Sequence, residues 1–152
     1  IKYILNGGEC QIGVESTIIN LTTKPTILRF GGLDISEIKK ILKRRILIDT
    51  KSKKKIAPGQ FLLHYSPGIP LRINVKKPKK NEAFLLIKKR KITFKNYYYL
   101  SKKNDLKQVA KNLYSLLRNI KNKGYKMIAV EKIPNIGIGK TINDRLNRAS
   151  KY

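Results

Sequence analysis

Two proline–glycine pairs, Pro58-Gly59 and Pro67-Gly68, frame a stretch that neither a helix nor a central strand can cross. Proline locks φ and has no amide hydrogen to donate, while glycine frees the backbone beside it. The run from Ala57 to Leu71, APGQFLLHYSPGIPL, is therefore an ordered, non-helical connector that divides the chain. It also holds the only histidine, His64, next to Tyr65. Flexible linkers are rich in Ser and Gly or in Lys and Glu. An imidazole and a phenol suit a segment that lies over a ligand.

On either side the hydrophobic period differs. Ile12 to Leu21 is rich in β-branched residues, and Thr26 to Phe30 continues that pattern after the Lys24-Pro25 break, so both read as strands. Gly31-Gly32 stops the second. Asp34 with Glu37 predicts a capping box for a helix carrying Ile35, Ile38, Ile41 and Leu42 on one face. Beyond the connector, Ala83 to Ile87, Tyr97 to Leu100 and Met127 to Val130 read as strands. Between the second and third of these, a helix capped by Asn104 or Asp105 repeats Leu106, Val109, Ala110, Leu113, Leu116, Leu117 and Ile120, and Gly124 closes it. A last helix from about Lys140 to Ser150 turns Ile142, Leu146 and Ala149 inward. The fold class is α/β. Residues 1–45 form the end of a larger α/β domain, 46–80 the connector with its basic flanks, and 81–152 a small parallel α/β layer domain.

The formal net charge of +26 would draw polyanions at low salt. Yet 27 of the 35 cations are lysine, whereas recognition of bases and phosphates favours arginine. The blocks 51–55, 76–80 and 88–91 read most simply as solvated loops and strand ends. A single cysteine, Cys10, excludes an internal disulfide and fits a reducing, cytoplasmic setting. No apolar run approaches the roughly 20 residues of a membrane helix. The opening IKYILNGGE resembles neither a signal peptide nor a natural start, which predicts an N-terminal truncation.

Few side chains offer chemistry. Gly137-Ile138-Gly139-Lys140-Thr141 ends like a P-loop, but the required earlier glycine is Pro134, which spoils a Walker A and leaves a P-loop nucleotidase remote. The two glycines read as a tight turn from strand to helix, with an anion site at the helix start as the alternative. Ser16, after Gly13, and Arg29 on the next strand could present a hydroxyl and a guanidinium to one anion, or simply be the polar face of a strand. No metal site is expected around Cys10, and no Ser-His-Asp or paired-carboxylate hydrolase can be assembled. No catalytic acid or base is assigned. Chemistry here would rest on orientation and charge neutralisation.

LNGGECQIGVESTIINL (5–21), ILRFGG (27–32), APGQFLLHYSPGIPLR (57–72) and GIGKTINDRLNRAS (137–150) occur in an order that resembles the threonylcarbamoyl-AMP synthases. The likeness is to their longer form, a YrdC-type domain followed by a smaller Rossmann-like domain. It implies that L-threonine, bicarbonate and ATP, with Mg²⁺ accompanying the nucleotide, give threonylcarbamoyl-adenylate and pyrophosphate for modification of adenosine 37 in tRNA. It further implies that Ser16 contacts threonine, that Arg29 pairs with ATP, and that the connector folds back with Tyr65 and His64 near the nucleotide. Where many members have Lys-Tyr-Arg before the His-Tyr, this chain has Phe61-Leu62-Leu63. The family's nucleotide-contacting tyrosine thus falls either at Leu62, where there is none, or at Tyr65. Phe30 replaces a usual proline. The family's basic ATP-phosphate residues and its Ser/Asn motif would precede Ile1, so the 152-residue piece alone is expected to be inactive. The rival reading is a non-catalytic module binding tRNA or double-stranded RNA, which needs the three lysine blocks on one face.

Overall fold

The computed structural model describes residues 1–50, 57–58 and 65–151. Seven strands and three helices are found among them: β1 (Ile18–Asn20), β2 (Thr26–Arg29), α1 (Ile35–Leu42), β3 (Leu47–Ile48), β4 (Leu71–Arg72), β5 (Ala83–Lys88), β6 (Tyr97–Ser101), α2 (Leu106–Asn122), β7 (Ile128–Val130) and α3 (Gly139–Ala149).

The strands make two sheets. In the first, of order β1-β2-β3, β1 runs antiparallel to β2 and β3 parallel to it. The second, of order β4-β7-β5-β6, is parallel throughout. β5 is buried along Ala83–Ile87, as a strand covered on both faces must be. One of its faces carries Leu85 and Ile87 against Val109, Leu113 and Leu117 of α2 and Ile142 and Leu146 of α3. The other places Phe84 and Leu86 with Ala129, Tyr97 and Tyr99. A smaller core under the first sheet joins Ile27 to Ile35, Ile38 and Ile46.

Three local expectations change. The stretch from Ile12 to Thr17 is not strand, because Gly13 turns left-handed at φ +74° and lies against the α2 backbone. Glu15 still accepts a backbone hydrogen bond from Gly32, so the stretch is tied to the sheet without joining its ladder. On α1, Ile41 faces solvent, since the stripe against the core is Ile35 and Ile38 with Leu42 partly buried beside them. The capping box is half made. The Asp34 carboxylate accepts from the Ser36 amide at 2.8 Å, while Glu37 reaches forward to Lys40.

The start of α3 explains the Gly-x-Gly. Gly139 donates to the Ile136 carbonyl at 2.8 Å, and a Cβ on it would stand 2.0 Å from the Pro134 carbonyl oxygen. The residue serves a tight turn. Thr141, whose counterpart in a P-loop would face a metal, instead donates its hydroxyl to the Gly31 carbonyl at 2.7 Å.

Candidate functional site

The segment Glu15–Thr17 is held from three sides. Arg29 projects from β2 and gives both Nε and Nη2 to the Ser16 carbonyl, at 3.0 and 2.9 Å. The Thr17 hydroxyl donates to the Leu33 carbonyl at 2.9 Å. Gly31 packs directly beneath, where a side chain would collide with the backbone of Glu15, Ser16 and Thr17. The result is a stiff ledge from which Ser16 is exposed.

The connector returns to this ledge at both of its described ends. Arg29 uses its remaining Nη1 toward the Pro58 carbonyl at 3.2 Å. Tyr65 lies beside Glu15, and its ring stacks on Tyr114 of α2 at 5.6 Å between centroids and 23° between planes. Tyr65 also has φ +74°, a left-handed backbone that a bulky residue adopts only under constraint. Arg29 thus meets the Ser16 carbonyl, and Tyr65 meets the preceding residue, Glu15. His64 lies outside the described residues.

Sequence reasoning missed the groups that bind the ledge to the rest of the molecule. Arg145 of α3 is buried; it donates to the Glu15 carboxylate from Nε at 3.1 Å and pairs with it from Nη2 at 3.0 Å. It also reaches the Phe30 carbonyl at 2.7 Å and Asp144 at 2.8 Å, and its guanidinium stands 4.6 Å from the centre of the Tyr65 ring. Arg148 donates to the Thr50 carbonyl at 2.7 Å and to both oxygens of Asp144. A signal was present. Arg145 falls in the Ile142, Leu146, Ala149 stripe, so an arginine had to be buried with partners waiting for it.

Electrostatics follow from this packing. Burial alone would raise the Glu15 pKa, but Arg145, a backbone amide, the Tyr65 hydroxyl and Arg29 together bring it below the usual carboxylate value. Tyr65 is pushed upward by burial, with Arg145 opposing and Glu15 adding to the rise. Tyr114 is pushed up further, again chiefly by burial. Both phenols stay protonated near neutrality, so neither is a base there. A cleft of about 410 Å³ opens beside them, lined by Glu15, Tyr65, Ser66, Tyr114 and Arg118.

Among the described residues the lysine blocks do not gather here. Residues 76–80 lead into the start of β5 and 88–91 leave from its end, so these two occupy opposite ends of one strand. The 51–55 block lies outside the described residues. Among the described residues no helix is long and apolar enough to cross a membrane.

Fold and site together define an α/β chain in which a proline-framed strap is pinned between a small mixed sheet and a parallel α/β layer. A family model described as the C-terminal domain of threonylcarbamoyl-AMP synthase matches residues 33–151, and the chain belongs to that family. Among curated relatives, the threonylcarbamoyl-AMP synthase of Pyrococcus abyssi is 32% identical, with all of this chain and 50% of the relative covered. Its namesake in Bacillus subtilis is 28% identical over 99% of this chain and 49% of its own length. The chain spans about half the length of the curated relatives it matches. Among solved structures, P. abyssi Sua5 complexed with L-threonine superposes with a TM-score of 0.80 at 29% identity, over 96% of this chain and 48% of that one. A variant of P. abyssi Sua5 with a consecutive histidine and tyrosine both changed to alanine superposes at 0.78, with 27% identity over 96% and 47%.

Proposed function

We propose that this chain is the C-terminal half of a threonylcarbamoyl-AMP synthase and supplies the threonine ledge and the covering strap of its active site. On this reading residues 1–45 complete the YrdC-type catalytic domain, 46–80 form the strap and its flanks, and 81–152 are the small Rossmann-like domain. The longer protein joins the amine of L-threonine to bicarbonate with loss of water. An oxygen of the resulting carbamate then attacks the α-phosphorus of ATP, the α–β bridging bond breaks, and pyrophosphate leaves. The protein's task is to align two anionic partners and keep water off a labile mixed anhydride. The adenylate afterwards donates its threonylcarbamoyl group to tRNA.

The observation that carries this reading is the return of Pro58 and Tyr65 onto Arg29 and Glu15, beside the exposed Ser16. Ser16 presents its hydroxyl to threonine from a ledge whose backbone cannot shift. Arg29 fixes that ledge through the Ser16 carbonyl and supplies positive charge beside the nucleotide. Tyr65, a protonated donor, and His64 cover the nucleotide. The chain's single histidine precedes a tyrosine, the same dipeptide altered in the P. abyssi variant, which further supports a role for the strap. Mg²⁺ would accompany the phosphates of ATP.

The test is pyrophosphate release dependent on both threonine and bicarbonate, measured on the longer protein that contains this chain. Activity in that protein, none in residues 1–152 alone, and a Ser16→Ala variant with KM for threonine raised at least about tenfold are expected, a loss of about 1.4 kcal/mol in binding. Release that ignores threonine would overturn the assignment.

A further inference from the structure

The small domain does more than sit beside the catalytic one. Three side chains on one stripe of α3 donate to backbone carbonyls of the leading half: Thr141 to Gly31, Arg145 to Phe30 and Arg148 to Thr50. Their spacing places them one turn apart along the face that also carries Ile142, Leu146 and Ala149. Thr141 and Arg148 serve these docking bonds, and Arg148 also holds Asp144. Arg145 continues into the site, to the Glu15 carboxylate and the Tyr65 ring.

From this geometry we infer that Arg145 is a positioning residue for the synthase reaction, through which α3 of the small domain sets the ledge and the strap together. The inference rests on the synthase reading above. The coupling is steric and electrostatic. A guanidinium has five donors in a rigid fork, and Arg145 spends them on Glu15, Asp144 and the Phe30 carbonyl. Its flat face is left for the Tyr65 ring, and a cation over an aromatic face gains most where water is excluded. Glu15 precedes the threonine-contacting Ser16 in the chain, and Tyr65 adjoins His64 in the strap. One buried side chain therefore fixes the distance between the residue that takes threonine and the segment that covers ATP. Lysine keeps the charge but loses the fork and the plane. Methionine keeps the volume and loses both.

A specific split is expected. In the longer enzyme, Arg145→Met should raise KM for threonine and for ATP by about tenfold each while kcat changes by less than about twofold. Arg145→Lys should recover only part of that loss. Asp105→Ala, which removes the cap of α2 without touching Glu15, Tyr65 or Gly31, should leave both KM values unchanged even where it lowers the melting temperature. Hydrogen–deuterium exchange gives a readout independent of turnover. Peptides spanning 65–71 should exchange faster in Arg145→Met, with β5 and α2 as protected as in the unaltered protein. Unchanged KM values in a folded Arg145→Met enzyme would overturn the inference, as would Asp105→Ala raising them equally. Exposure of β5 and α2 in Arg145→Met would mean that the arginine only stabilises the fold, and would overturn it too. A parent protein that releases no threonine-dependent pyrophosphate sinks the synthase reading instead, and the exchange experiment still reports on the coupling.

Discussion

Gly31 shows how little freedom the ledge has. A Cβ built there would lie 2.1 Å from the Thr17 nitrogen, 2.2 Å from the Ser16 carbonyl carbon and 2.5 Å from the Glu15 oxygen. All three are backbone atoms of the segment that presents Ser16, so no side-chain rotation can relieve the contact. Gly31→Ala should therefore cost about 3 kcal/mol of stability. Denaturant unfolding of the chain measures the loss, and a change under about 0.5 kcal/mol would mean that the ledge is softer than its contacts imply. This role was only half legible. Gly31-Gly32 could be read as the end of a strand. That the first of the pair lies under Ser16 depends on how residues 12–17 leave the sheet, and no local pattern encodes that path.

Elements were legible where one period ran uninterrupted. α2 and β5 bury continuous stripes, so periodicity located them to within a residue or two. The long strand expected at Ile12 to Leu21 shrank to Ile18–Asn20 because β-branched composition cannot report a left-handed glycine near its start. β3 and β4, each of two residues, carry too short a pattern to stand out. Arg145 was hidden for the opposite reason, being a charged residue on an apolar stripe whose partners come from distant sequence. At the N-terminus of α2 the sequence left two caps open, and the structure separates them. The Asp105 carboxylate accepts from the Lys107 amide at 2.9 Å, whereas Asn104 takes φ +66° just outside the helix. Asp105→Ala should cost about 1 kcal/mol through loss of the cap. Asn104→Gly should be neutral or mildly stabilising, because glycine meets that φ without strain. Thermal unfolding of the two variants checks the pair, and equal losses would contradict the assignment of Asp105 as the cap.

The whole molecule is a strongly cationic chain whose few carboxylates sit at junctions. Of its nine acids, Glu15 bridges the ledge to α3 and the strap, and Glu82 is clasped by Arg72 at 2.7 and 2.8 Å where β4 meets the start of β5. Both carboxyls are held below the ordinary glutamate value, Glu15 despite burial and Glu82 chiefly through its hydrogen bonds from Arg72. The sign follows from linkage. A carboxylate whose folded pKa is depressed binds its proton more readily when unfolded, so its stabilisation is complete above the unfolded value and is lost as pH falls through the folded one. Stability should hold from neutrality to about pH 5 and decline below about pH 4.5. Acid also strips negative charge from a chain already at +26, so general repulsion grows over the same range. Salt separates the two causes, since it screens the diffuse repulsion far more than a partly buried pair. The parallel sheet rests chiefly on an apolar core with Glu82 at its margin, whereas Glu15, faced by Arg145, Tyr65 and Arg29, stands at the join between halves. Acid should therefore release the strap and the ledge first. In hydrogen–deuterium exchange at pH 3.5 against pH 6 in high salt, peptides covering 12–17 and 65–71 should lose protection while those of β5 and α2 keep it. A Glu15→Gln variant should show much of that loosening already at pH 6 and little further change on acidification. Uniform loss of protection across both sheets would show instead that the two halves unfold as one cooperative unit, with Glu15 no more decisive than any other acid.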